Sequence, residues 1–193
     1  MSKSANLLLL LLLLVIFLPP VAAIGENLTA TVILAHMNGT AGINTFTDEV
    51  GHILARNNTY IDNNVKKLGN AAGSFQSANS SYLYSPPSAD FNLGRNWEID
   101  TWFNNTMAAS TSYYIFNFGE STSNLAFILT GRSTSSGYGR VSKGGSAIGT
   151  NINSIAAGVW NHLAIQQNGT YIDIFINGTL VQEISNSADT DAS

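Results

Sequence analysis

Two Asn-Gly steps, Asn168-Gly169 and Asn177-Gly178, bracket residues 170–176 within "HLAIQQNGTYIDIFINGTLVQEI". Asn-Gly supplies the two positive-φ residues that a type I′ turn requires, so this stretch predicts a three-strand meander. In the enclosed strand Ile172, Ile174 and Ile176 fall on one face, and Tyr171, Asp173 and Phe175 on the other. The isoleucine face is expected to be core. A sheet buried on one face needs a second layer to cover it, and this requirement constrains the rest of the chain.

The remaining sequence is of the same kind. From residue 24 onward no segment sustains helical periodicity; short Ile-, Val-, Phe-, Tyr- and Thr-rich runs alternate with Asn, Gly, Ser and Thr. Strands are expected at residues 30–36, 73–76, 81–84, 97–103, 113–118, 125–130, 138–143, 160–166, 171–176 and 180–184. So many short strands in one domain predict an all-β fold, a two-sheet antiparallel β-sandwich of jelly-roll type.

The N-terminal end has a different character. Lys3 is followed by twelve uninterrupted apolar residues, Leu7 to Leu18, then Pro19-Pro20 and a small-residue Val-Ala-Ala site ending at Ala23. Residues 1–23 are therefore expected to be a secretory signal peptide, since a membrane span would need about 20 apolar residues. The mature chain, 24–193, is expected to have no span and to be secreted or displayed on a cell or virion surface. It would carry seven Lys and Arg against twelve Asp and Glu, a net charge of −5. With Lys66-Lys67 as its main basic pair, it is a poor partner for nucleic acid or an anionic membrane surface. Cysteine is absent, which excludes disulfides, thiolate metal sites and a Cys nucleophile.

These blocks carry a resemblance. "GVWNHLAIQQNGTYIDIFINGTLVQE" resembles the W-H-H-(V/L)-A…L-Y-V-D-G hairpin of laminin G-like domains, members of the concanavalin A-like lectin and glucanase superfamily. "ILAHMNGTAGINTFTDEVG", residues 33–51, is similar to the opening strand and loop of bacterial and phage-type members, with Asn38 where an Asp is usual. "LGNAAGSFQSANSSYLYSPPSADFNLGRNWEIDTWF", residues 68–103, resembles their G-(A/S)-x-x-F-D-G…Y-L…D-F…F-T-I-E-F-W-V block, with Phe75-Gln76-Ser77 at the F-D-G step. The resemblance covers most of residues 32–184. It also implies a closing strand of the I-D-E-V-R-I type, which is not found before Ser193, so either another segment closes the sheet or, the favoured expectation, 24–193 is a C-terminally incomplete domain.

Within "WEIDTWF", Glu98 and Asp100 stand two residues apart. The resemblance to the laminarinase and lichenase glucanases would make Glu98 the nucleophile of an E-x-D-x-x-E or E-x-D-x-E strand. Trp102 and Phe103 occupy the positions of the final, acid/base Glu. A retaining hydrolase needs that second carboxyl at about 5–5.5 Å from the first. No catalytic residue is expected; were the chain an enzyme, Glu98 and Asp100 would be its candidates. Glu98, Asp100 and Trp102 share a strand face and are candidate ligand-binding residues, with Tyr138 as a further stacking surface. The alternative reading makes Trp102 a packing residue and the two acids solvated. Trp97, Ile99 and Phe103 alternate onto the core face.

Family likeness also implies calcium at the sheet rim, with Asp48 and then Glu49 as candidate ligands, because calcium takes six to eight oxygens. His36, His52 and His162 lack zinc-type spacing and are expected to be packed or surface residues. No G-x-S-x-G elbow is present, and "GRSTSSGYGR", residues 131–140, has no P-loop lysine and reads as a hairpin loop. Asn27, Asn38, Asn57, Asn79, Asn104, Asn168 and Asn177 begin N-x-(S/T) sequons and are glycosylation candidates. Turn chemistry alone accounts for Asn168 and Asn177.

The leading expectation is a non-catalytic recognition module that binds a glycan or an extracellular protein partner through rim loops 38–48, 104–112 and 133–137. A structural or assembly domain of a virion, fibre or cell envelope is the second reading. An atypical β-glucanase is the third.

Overall fold

A computed structural model describes residues 33–76, 79–91, 94, 96–106, 111–118, 125–131 and 136–185. Its strands are β1 (Phe46–Thr47), β2 (Ile53–Asn57), β3 (Tyr60–Asp62), β4 (Ala72–Ser74), β5 (Tyr82–Tyr84), β6 (Asn96–Asn104), β7 (Ser112–Phe118), β8 (Leu125–Gly131), β9 (Ser136–Lys143), β10 (Ser146–Ala156), β11 (Trp160–Asn168), β12 (Tyr171–Ile176) and β13 (Thr179–Ser185). A 3₁₀ turn at Ala89–Phe91 precedes β6.

The expected meander is present. β11, β12 and β13 pair antiparallel in sequence order, and β6 joins the far side of β11, giving a four-stranded sheet β13-β12-β11-β6. Asn177 and Gly178 both take positive φ, +52° and +77°, as a two-residue turn of the type I′ family demands. The first turn departs from expectation. Asn168 pairs with Tyr171 as the last residue of β11, so the turn residues are Gly169 and Thr170, and only Gly169 has positive φ. The Asn168 side chain instead donates to Asp173.

A second four-stranded sheet, β10-β9-β8-β7, covers the isoleucine face. Ile172, Ile174 and Ile176 pack with Leu163, Ile165 and Phe103 against Phe127, Leu129, Val141, Ile152 and Ile155 in one buried cluster. A Cβ on Gly139 would collide with the Phe127 ring, so glycine is required where β9 crosses that side chain. The alternation expected in β6 holds: Phe103 is buried and Trp97 packs on the cluster, while Glu98 and Asp100 are exposed.

Residues 33–91 form a smaller lobe of the sheets β1-β2-β5 and β3-β4, over a cluster of Phe46, Leu54, Ile61 and Ala71. Its rings join it to the sandwich through Phe91, 5.4 Å from His52 and 6.3 Å from Phe118 between ring centroids.

Three expectations need correction. Residues 33–36 are not in a strand; residues 30–32 of that expected strand lie outside the described residues, and Met37 turns the chain with φ of +53°. Strands β1, β2 and β3 were not expected, because they are short and the segments around them are polar and Asn-rich. Nor was β10, the longest described strand, because its register shifts between Ile148 and Ile152 and again between Asn153 and Ile155, which erases the period of two. β8 and β9 pair antiparallel up to Gly131 and Gly137, yet residues 136–140, expected within a hairpin loop, are strand. The expected signal peptide, the Asn27 sequon and the segment after Ser185 lie outside the described residues.

Candidate functional site

The outward face of β13-β12-β11-β6 collects the chemistry. Strand alternation directs Glu98, Asp100 and Trp102 of β6 away from the core, and antiparallel register sets them opposite Gln166, Ala164 and His162 of β11. Gln166 and Ala164 in turn face Asp173 and Phe175 of β12, and Asp173 faces Glu183 of β13. The face is thus a grid of four strands with the small Ala164 near its centre.

One corner of it is built on Trp102. The His162 ring lies 4.7 Å from the indole between centroids, and His162 Nε2 stands 2.8 Å from Asp100 Oδ2. Asn177 holds the strand beneath: its Oδ1 accepts from the His162 amide at 2.9 Å, and its own amide donates to the His162 carbonyl. Lys67, from the loop between β3 and β4, lays its Nζ 4.3 Å from the indole centroid, in cation–π range. Sequence reasoning missed Lys67 because nothing local links that loop to β6. His162 was expected only as a packed or surface residue; the parity signal was available, since it alternates with buried Leu163 and so shares the Trp102 face.

Tyr138 is elsewhere. It lies on β9, out of phase with buried Gly137, Gly139 and Val141, hence on the outer face of the opposite sheet. The four candidate ligand residues are therefore split three to one. Among the rim loops, 38–48 folds back on the lobe, with Gly42 and Ile43 bonded to Ile61. Residues 107–110 and 133–135 of the other two loops lie outside the described residues.

Asp48 is buried and organises its own turn. Its Oδ1 accepts from the amides of Val50, Gly51 and His52 at 3.0, 2.5 and 2.8 Å, and its Oδ2 faces His52 Nδ1 at 2.9 Å. Burial pushes this carboxyl upward, but the His52 and Gly51 amides and the His52 ring outweigh it and hold it below the usual value. His52 Nε2 also faces Asp90 Oδ2 at 3.3 Å. Bonding to Asp48, then to Asp90, raises the His52 pKa against an opposing effect of burial. Asp90 is lowered, first by Ser88 and then by His52. Glu49 pairs with His36 at 3.5 Å beside a polar cleft of about 80 Å³ lined also by Asn38 and Thr45. With N–H donors around Asp48 and a histidine against Glu49, these two acids do not fit a calcium cage. Among the described residues no three His, Asp or Glu side chains converge on one point.

The sequons differ in what their asparagines do. Asn38, Asn79, Asn168 and Asn177 are exposed and Asn57 and Asn104 half-buried; Asn57 donates to Ser80, and Asn79 to Gln76.

Two facing antiparallel sheets with an aromatic and polar outer face define a concanavalin A-like β-sandwich. A laminin G domain model of the concanavalin A-like lectin/glucanases superfamily matches residues 77–193, and the chain belongs to this family. No curated protein and no solved structure matches it significantly. Domains of this family bind carbohydrates or proteins, are often extracellular and are generally non-catalytic, while the wider superfamily includes glycoside hydrolases. Among the described residues no helix is long and apolar enough to cross a membrane. The match begins after β4, so most of the smaller lobe, including residues 33–51, lies outside it.

Proposed function

We propose that this chain is a secreted or surface-exposed, non-catalytic recognition module, and that it binds a saccharide on the outward face of β13-β12-β11-β6. The observation that carries this reading is the Trp102 corner. An indole is held in place by His162, with Lys67 over its ring, and flanked by the carboxylate of Asp100 beside a floor lowered at Ala164. An aromatic platform with a few convergent polar groups is what a hydroxyl-rich ligand requires. Hydrolysis is disfavoured by the same corner. Trp102 and Phe103 stand where the acid/base would be, the second of them in the core, and Asp100 is committed to His162.

The test is a glycan array probed with the full chain and with Trp102→Ala, each first shown to melt cooperatively, in calcium and in chelator. Saturable binding by the parent, lost in the variant and indifferent to chelator, is expected. Binding that survives Trp102→Ala would move the site off this face. A folded parent that binds no glycan would replace the saccharide with a protein partner.

A further inference from the structure

The second row of the same face is acidic, and among the described residues no cation pairs with it. Reading across the strands in register, it runs Glu98, Gln166, Asp173, Glu183. Directly opposed side chains in an antiparallel pair lie about 4.5–5.5 Å apart at Cβ, so Asp173 and Glu183 oppose like charges, an arrangement that destabilises a sheet. Asp173 is also more than nine-tenths buried, at 8% exposure. Its Oδ2 receives two long bonds, 3.3 Å each, from Gln166 and Asn168, and its buried Oδ1 has no partner. Buried carboxylate oxygens are ordinarily satisfied, so Oδ1 has an open position for a donor that the described residues do not supply.

The nature of the donor follows from the surroundings. Asp100 adds a fourth acid one row away, already bonded to His162, while Lys67, the ammonium that the described residues bring to this face, is placed over Trp102 rather than over the acids. No three acidic or histidine side chains of the described residues stand close enough to share a metal ion, so the row is too open for a metal cage. An ammonium spreads three N–H donors over a wider radius and suits such a row. Asn96 and Asn168 border the row on its other side, directly opposite each other. Their amides suit a ligand that also presents hydroxyls.

We propose that the row Glu98–Gln166–Asp173–Glu183 is a subsite for a protonated amine, with Asp173 Oδ1 as its central acceptor, and that the saccharide bound here is an amino sugar. This rests on the reading of the face as a saccharide site. Glu98 lies four residues from Trp102 along β6, roughly 13 Å at the rise of a strand, so one oligosaccharide can reach both the platform and the row.

The experiment titrates the full chain, Asp173→Asn, Glu183→Gln and Trp102→Ala with short oligomers of glucosamine and of N-acetylglucosamine of equal length, and with oligolysine. The expected result is binding of the free-amine oligomer that weakens with salt. It should be about tenfold or more weaker in Asp173→Asn and in the N-acetylated ligand. Exposed Glu183 serves as the second variant should Asp173→Asn fail to melt cooperatively, and its neutralisation should weaken the same ligand. Equal affinity for the two sugars, with Trp102→Ala weakening both, overturns the amine subsite and leaves the saccharide reading intact. No sugar binding, with oligolysine held in an Asp173-dependent manner, overturns both in favour of a basic peptide.

Discussion

The sandwich and the smaller lobe solve the same problem, holding short strands together without disulfides, by different means. In the sandwich, eleven buried apolar residues among those described, drawn from both sheets, form one cluster, and several of them are completely excluded from solvent. Among the described residues of the lobe four such residues form a cluster, Phe46, Leu54, Ile61 and Ala71, and side-chain-to-backbone bonds add to it. Asp48 gathers three amides, Thr59 is buried and donates to the Asn57 and Tyr82 carbonyls, and Asn58 reaches the Asn79 carbonyl. Apolar burial scales with area and tolerates sequence drift, whereas a directed bond depends on one atom in one place. That contrast accords with a family match that takes in the whole sandwich and leaves most of the lobe outside.

Breaking the large core should have the greatest effect. Phe127→Ala removes a fully buried ring from between the sheets and is expected to cost about 3–5 kcal/mol, read as a lower urea midpoint for the whole chain. A loss under about 1 kcal/mol would mean that the two sheets do not share the core described.

Asp48→Ala should cost less, about 1–3 kcal/mol, because it strands three part-buried amides in one loop. Amide exchange is expected to speed up at Val50, Gly51 and His52 while β11 and β12 keep their protection. Uniform loss of protection would show lobe and sandwich to be a single cooperative unit.

The smallest and most local effect is set by pH. His52 has its pKa raised, so its contribution is complete below its ordinary value of 6.5 and is lost as pH rises through the folded value. Asp48 and Asp90 are lowered, so theirs are complete above 3.8 and are lost as pH falls through the folded values. All three coincide between 3.8 and 6.5, where protection factors at Gly51 and His52 should be highest. A flat profile across that window, with the sandwich also flat, would remove the ionic part of the contrast.

The meander, the alternation of β6 and the isoleucine core were legible because Asn-Gly turns and the two-residue period are local properties of a strand. Equally local was the shared face of Glu98, Asp100 and Trp102, which follows from parity alone. Tyr138 was named as a stacking surface, but nothing local could say that its sheet is the opposite one.

Tertiary structure decided whatever depends on which strands become neighbours. β10 is a strand because β9 pairs with it through two irregularities that no period reveals. Asp48, a candidate for calcium by likeness, is instead engaged by the three amides and the histidine that its own turn gathers around it. His162 meets Asp100 across a gap of 62 residues, and Lys67 meets Trp102 from another lobe. The acidic row spans four strands distant in sequence, and only their register sets Glu98, Asp173 and Glu183 in line. Sequence determined which side chains face outward, since that follows from backbone geometry within a strand; pairing between strands determined which of them act together.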